Sequence, residues 1–278
     1  MALRVVMFDS CDPEFDLAFE EALARLRAKD MIPDTLRLWR TSRSVVLGYF
    51  RSAEEDVDLD LAGRKGVPII RRFTGGGTVY LDRGCVNYSV VIKKDVEFPV
   101  SYLYGTILRG TLAALESLGF SPYLRNANDV VVGGRKVSGT AASIRWGVLF
   151  LHGSILFDAD LGMLRGLLRV PERLKPSVDP VKYLVANLSE FTDSIDAGDV
   201  MDALVRGYSE VLSEKFYMDE PMEEELNAAE ILHGFKYSRD EWNLRLPSYH
   251  LRSIEEGIEK ELRSWVSNPQ RSPSPPRV

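Results

Sequence analysis

The sequence predicts a mixed α+β domain whose mainly antiparallel sheet is flanked by helices. Two observations lead there: a strand-rich middle, and helical spacing of apolar residues on both sides of it. A third sets the scale. The 278 residues are 45% hydrophobic and 27% charged, which suits a soluble globular protein with one large domain, or one domain plus a small one.

The elements follow in order. Residues 3–8 are apolar and β-prone, a first strand. Asp12-Pro13 offers a helix start, and Phe15, Leu17, Ala18, Ala22 and Leu26 recur at helical spacing through residue 29. Residues 36–39 and 44–49 read as a strand pair joined by a turn, and 58–65 as a short helix. Strands at 67–72 and 78–81 flank Gly75-Gly76-Gly77, and β-branched residues make 87–93 another strand. Residues 100–118 have helical spacing with Gly119 as C-cap. An antiparallel run follows at 129–132, 135–138, 142–145 and 147–157, with Gly133-Gly134 as a tight turn. Then come a short helix at 161–168, a Pro-rich connection at 171–180, and helices at 200–216 and 222–235. The Ser/Pro-rich tail is expected to be disordered.

Composition excludes several classes. A net charge of −6 argues against a general nucleic-acid binder. Cys11 and Cys85 form no CxxC, so a reducing compartment is the default. The N-terminus meets acidic residues too soon for a signal peptide, and no stretch approaches the roughly 18 apolar residues of a membrane span, so a cytoplasmic, non-membrane protein is expected. The Rossmann, P-loop and GxSxG fingerprints are missing, and His152, His233 and His250 have no metal-ligand spacing.

Three constellations carry chemistry. In Arg71-Arg72-Phe73-Thr74-Gly75-Gly76-Gly77-Thr78, the glycines let a ligand approach the main chain, their amides suit a phosphate, and the arginines add forked donors. The same glycines also suit a flexible hairpin turn. In Asn128-Asp129 and Gly133-Gly134-Arg135-Lys136-Val137-Ser138-Gly139-Thr140-Ala141, a lysine sits among small residues that leave room for a ligand. It is either a phosphate-binding or carboxylate-binding cation or an ordinary hairpin lysine. His152, in the apolar stretch Leu151-His152-Gly153-Ser154, is either a site residue or a satisfied core histidine.

Together these blocks resemble the lipoate–protein ligase A family, within the biotin/lipoate ligase and octanoyltransferase group. FDSCDPEFDLAFEEAL and LRLWRTSRSVVLGYFRS are similar to the family's opening segments. RRFTGGGTVYLDRGCVNYS resembles the signature RRxSGGGxVxHDxGNxxxS, and NDVVVGGRKVSGTAASIRWGVLFLHGSIL resembles the block bearing the catalytic lysine. The four blocks span about residues 5–165, and KYSRDEWNLR is similar to segments that close shorter members. The sequence departs from the signature where His-Asp becomes Leu81-Asp82, where Gly-Asn becomes Gly84-Cys85, and where Leu151 replaces the first of a His-His pair.

The resemblance implies the biotin/lipoate ligase catalytic domain, a fold related to class II aminoacyl-tRNA synthetases. It also implies a two-step reaction. Lipoate and MgATP give lipoyl-AMP, and a lysine of an acceptor lipoyl domain then takes the lipoyl group. Carried over by motif, Lys136 is the catalytic residue. Arg72, Gly75, Gly76, Gly77, Thr78, Val79, Tyr80, Asp82, Asn87, Asp129, Gly139, Thr140, Ala141 and His152 complete the ATP and lipoyl-AMP site. No metal ligands are assigned, since Mg2+ comes with the ATP phosphates, with Asp129 as a helper of the metal or of Lys136. The implied acceptors are lipoyl domains of 2-oxoacid dehydrogenase E2 subunits or glycine-cleavage H protein, and a separate small accessory subunit is expected. The catalytic core is expected at 1–195, a closing helical segment at 196–265, and the disordered tail at 266–278. A related octanoyl or lipoyl transferase would need a cysteine shortly before the lysine block, where GFSPYLRNAND has none. That favours a ligase; a non-catalytic accessory relative is the remaining class.

Overall fold

A computed structural model describes residues 2–169, 184–245 and 250–267. Along these the chain runs β1 (Leu3–Met7), α1 (Pro13–Ala28), β2 (Thr35–Trp39), β3 (Ser44–Leu47), α2 (Ala53–Asp56), α3 (Leu59–Lys65), β4 (Ile69–Arg71), β5 (Val79–Leu81) and β6 (Cys85–Ile92). It continues with α4 (Pro99–Tyr102), α5 (Arg109–Ser117), β7 (Tyr123–Arg125), β8 (Asp129–Val132), β9 (Arg135–Arg145), β10 (Val148–Leu156) and α6 (Leu161–Leu167). It closes with α7 (Ala197–Leu212), β11 (Phe216–Asp219), α8 (Glu223–Leu232), α9 (Asp240–Asn243) and α10 (His250–Ser267).

Eight strands form one sheet in the order β11-β1-β2-β6-β10-β9-β8-β7, and β4-β3-β5 form a second, smaller one. In the large sheet β1 runs parallel to β2 and to β11, and the other pairings are antiparallel. The expected mixed, mainly antiparallel sheet flanked by helices is present. All eight residues of β6 are buried, which marks it as a central strand covered on both faces. Alternation sorts its side chains and those of β10. Val86, Tyr88, Val90, Leu149, Leu151 and Ile155 pack with α5 and α7. Cys85, Val91, Phe150 and Leu156 pack on the opposite face with α1 and α8.

Helix α1 starts as expected. Asp12 caps it by accepting from the Glu14 amide, Pro13 takes the first helical position, and Arg25 and Arg27 stand near its negative end.

Several expectations change. Residues of β2 and β3 are extended, but the turn between them carries the chain from the large sheet to the small one, so they do not pair. The helix at 100–118 is interrupted by a π turn at Leu103–Ile107. Residues 135–145 form one eleven-residue strand rather than two. Ser213 adopts a left-handed φ of 54° and ends α7, so the apolar residues after it become edge strand β11 instead of more helix. The closing segment expected to be helical at 196–265 holds α7, α8, α9 and most of α10, with strand β11 among them. The Pro-rich connection at 171–180 lies outside the described residues, as does the tail from 268 onward, whereas Val266 and Ser267 close α10.

Candidate active site

The small sheet presents the glycine loop. Arg72 follows β4, and its guanidinium turns inward. It donates to Thr74 Oγ1 at 3.0 Å, to the carbonyls of Gly75 and Gly77 at 2.6 and 2.7 Å, and to the Val46 carbonyl at 3.3 Å. Burial pushes its pKa down to about 10. Arg72 thus shapes the loop by gathering its carbonyls. The amides of Gly75, Gly76 and Gly77 make no hydrogen bond among the described residues, which suits them to an anion. Gly76 has a φ of +88°. Its carbonyl packs on Gly48 so closely that a Cβ at Gly48 would lie 2.2 Å from it, so the turn after β3 admits only glycine there. The Thr78 hydroxyl donates to Asp56, which also receives the Arg51 fork.

The large sheet presents the lysine. Val130 pairs with Ser138 but Val131 with Lys136, so β9 holds Val137 as an extra residue. Such a bulge breaks strict alternation. Val137 enters the core under α5 and α7, while Lys136 joins Gly139 and Ala141 on the face of the cleft. Lys136 Nζ lies 2.5 Å from Asp129 Oδ1; its side chain is 24% exposed and that of Asp129 2%. A Cβ at Gly139 would stand 2.8 Å from Nζ, so glycine there gives the ammonium its place.

Between loop and lysine opens a cleft of about 130 Å³. Of the residues proposed from sequence, Arg72, Gly77, Thr78, Val79, Asn87, Lys136, Gly139, Thr140, Ala141 and His152 line it. Asp129 stands behind Lys136, and Gly75 and Gly76 continue the loop beyond the lining. Tyr80 faces the other way, into the cluster around Val45, Leu47 and Val57. Asp82 accepts from the amides of Gly84 and Asp160, holding a turn rather than facing the cleft. Asn87 is buried, and its Nδ2 has no partner among the described residues. Leu81 lines the cleft, whereas Leu151 packs in the core on the far face of the sheet, so of the two histidine-to-leucine departures only Leu81 touches the site.

Sequence reasoning missed the apolar wall of Leu17, Trp39 and Val46, and missed Glu20. Glu20 lies within α1, where a carboxylate ordinarily reads as solvated, but it is buried. It accepts from His152 Nδ1 at 2.9 Å, and His152 Nε2 meets Thr74 Oγ1 at 2.7 Å. Burial alone would raise the Glu20 pKa, yet His152 and Arg37 outweigh it and hold the carboxyl below its usual range. A carboxylate only accepts, so His152 donates from Nδ1 to Glu20.

Neither cysteine lines the cleft. Cys85 is fully buried, and burial pushes its thiol up to about 12. Cys11 is exposed, and its hydrogen bond to Asp9 also raises its pKa. Neither microenvironment favours a thiolate. Among the described residues the group of His, Asp and Glu side chains near enough to share an ion is Asp12, Glu14 and His233, none of which lines the cleft.

A cation facing loop amides that make no hydrogen bond, beside an apolar wall, is an arrangement able to hold an acid with an apolar chain next to an anion. Comparison with known proteins places the chain in a family. Residues 12–209 match the family model for the lipoyl protein ligase A/B catalytic domain, and the chain belongs to that family. It is similar to lipoate-protein ligase A subunit 1 of Thermoplasma acidophilum, with 37% identity over 243 residues, covering 83% of this chain and 91% of the relative. It is also similar to octanoyltransferase LipM of Brevibacillus brevis, with 28% identity covering 87% and 98%. Among solved structures, a lipoate-protein ligase A bound with ATP superposes with a TM-score of 0.79 at 33% identity, covering 89% of this chain and 100% of that one. A bipartite lipoate protein ligase, described with its E2 lipoyl domain from T. acidophilum, superposes with a TM-score of 0.77 at 33% identity, covering 89% and 97%. No helix among the described residues is long and apolar enough to cross a membrane.

Proposed function

We propose that the chain is a lipoate–protein ligase that activates lipoate with MgATP to lipoyl-AMP and passes the lipoyl group to a lysine of an acceptor lipoyl domain. The observation that carries this is Lys136, half-sheltered on Asp129 and facing a loop whose carbonyls are gathered onto Arg72 while its amides stay free. The loop amides take the phosphate oxygens. Lys136 exchanges Asp129 for the acyl carboxylate and the α-phosphate, and it offsets the charge that develops as the carboxylate attacks phosphorus and pyrophosphate leaves. In the second step the acceptor amine attacks the acyl carbon, the C–O bond of the mixed anhydride breaks, and AMP departs. Leu17, Trp39, Val46 and Leu81 suit the apolar chain of the acid. Of the carboxylates at the cleft, Glu20 is engaged by His152, while Asp129 Oδ1 holds Lys136 and its Oδ2 is buried, so the residues do not build a metal site and Mg2+ is carried by the nucleotide.

The relative from T. acidophilum is a subunit 1, which supports a second, small subunit for this chain as well. The likeness to LipM raises a transferase reading, in which an acyl-carrier donor replaces ATP. Both thiols lie outside the cleft with raised pKa values, which favours the ligase. Acceptors of the E2 and glycine-cleavage H type fit either reading.

The test is the intact mass of a lipoyl domain incubated with the chain and one of three donors: preformed lipoyl-adenylate, lipoate with MgATP, or octanoyl-carrier protein. The ligase reading expects a lipoyl increment from the adenylate, and from lipoate with MgATP once the small subunit is present. An increment from the carrier protein alone would overturn it.

A further inference from the structure

The motif KYSRDEWN has no part in the cleft, yet it ends at the back of the glycine loop. The point of contact is Arg71, at the open edge of the three-stranded sheet. Parallel pairing turns the main-chain groups of Ile70 toward β3 and those of Arg71 outward. Where a further strand would pair, side chains of α9 stand instead. The Arg71 amide donates to Asn243 Oδ1 at 3.0 Å, and Trp242 Nε1 donates to the Arg71 carbonyl at 2.6 Å.

The Arg71 side chain then ties this edge to the turn beneath the loop. It is fully buried. Its guanidinium donates to carbonyls only: Trp242 at 2.9 Å and Asn243 at 3.3 Å on one side, Gly48 and Tyr49 at 3.1 Å and Arg51 at 2.6 Å on the other. The 48–51 turn in turn supports the loop, through the Tyr49 amide on the Thr74 carbonyl at 2.8 Å and through Gly48 packed on the Gly76 carbonyl. Asn243 is itself held, donating from Nδ2 to the Tyr237 carbonyl at 2.7 Å.

We propose that Asn243 and Trp242 are positioning residues for nucleotide binding, acting through Arg71 and the 48–51 turn to hold the glycine loop in its anion-accepting shape. This rests on the reading of the loop as the nucleotide site. Leu17 and Trp39 of the acyl wall make none of these hydrogen bonds, so the effect falls on the nucleotide more than on the acid.

The experiment measures Kd for a fluorescent ATP analogue and for lipoate on the full chain, with circular dichroism and thermal melts alongside. Wild type is measured first, and absence of ATP-analogue binding there would sink the nucleotide reading itself. Asn243→Ala is expected to weaken ATP-analogue binding about tenfold while lowering lipoate affinity less. Trp242→Phe keeps the ring packing without the donor and gives a smaller loss of the same kind, so it serves if Asn243→Ala does not fold. Wild-type ATP affinity in both folded variants overturns the proposal. Equal losses for ATP and lipoate that track a fall in melting temperature overturn it too, because they mark support of the fold alone.

Discussion

Two lysines of this protein meet buried carboxylates, and their surroundings set them apart. Lys136 rests on Asp129 alone and remains 24% exposed at the cleft. Lys236, in the π turn that follows α8, is sealed from solvent between Glu21 at 2.8 Å and Glu255 at 3.2 Å, with its ammonium 3.9 Å from the centre of the Trp242 ring. Glu21 also accepts from Arg25 and from the Tyr237 hydroxyl, and Arg25 reaches on to Glu255 and Glu259 of α10. One ammonium has a single partner and room to change it. The other is enclosed by partners that would each be stranded by its departure. The first arrangement suits a reagent and the second a fastening, although the side chain is the same.

Substitutions sharpen this contrast. The largest effect is expected from Lys136→Ala, which should slow transfer from preformed lipoyl-adenylate by about a thousandfold while costing less stability than loss of Lys236, since Asp129 alone is left without its cation and at the edge of the cleft. Intact-mass time courses and denaturation curves read the two quantities separately. Lys236→Met should do the reverse, costing about 3 kcal/mol of stability in urea titrations while the folded fraction transfers at close to the normal rate. A stable but inactive Lys236→Met protein would break the division between the two lysines.

Acid probes the same cluster. Burial raises the Glu21 pKa, but Lys236 and then Arg25 outweigh it and bring it from 4.5 to about 2. The folded value lies below the unfolded one, so this stabilisation is full above about pH 4.5 and is lost as pH falls toward 2. Stability measured down that range should drop by about 3 kcal/mol through this group, and Glu21→Gln should flatten the slope. The smallest effect is expected at Cys85→Ala, where transfer should stay within about twofold because a buried thiol with a raised pKa is no nucleophile. Abolished transfer in a folded Cys85→Ala protein would revive the thioester mechanism.

What the sequence made legible was the local part. The glycine loop, the strand bearing Lys136 and the start of α1 could be read because Gly-Gly-Gly, Asp-Pro and β-branched runs act over a few residues. What escaped depends on partners far along the chain. Glu20, Arg25 and Lys236 look like surface charges until His152, Glu255 and Glu21 are brought to them. The extra residue at Val137, which decides the face Lys136 occupies, arises from pairing with β8 and has no local signature. Tyr80 and Asp82 belong to the matched motif, yet alternation and a tight turn direct them away from the cleft. Trp242 and Arg71 meet across 171 residues.

The large sheet ends on β11, where Phe216, Tyr217 and Met218 are all exposed. Parallel pairing with β1 leaves the main chain of Phe216 and Met218 facing outward, a template to which another extended chain can add. Its apolar side chains do nothing to discourage this. Length does: the strand spans four residues, Asp219 is drawn back by Arg4, and Pro221 just beyond has no amide hydrogen to offer. The protection against runaway stacking of sheets is therefore brevity rather than charge, and a change that lengthened this strand by replacing Pro221 would turn the protein toward fibrous association.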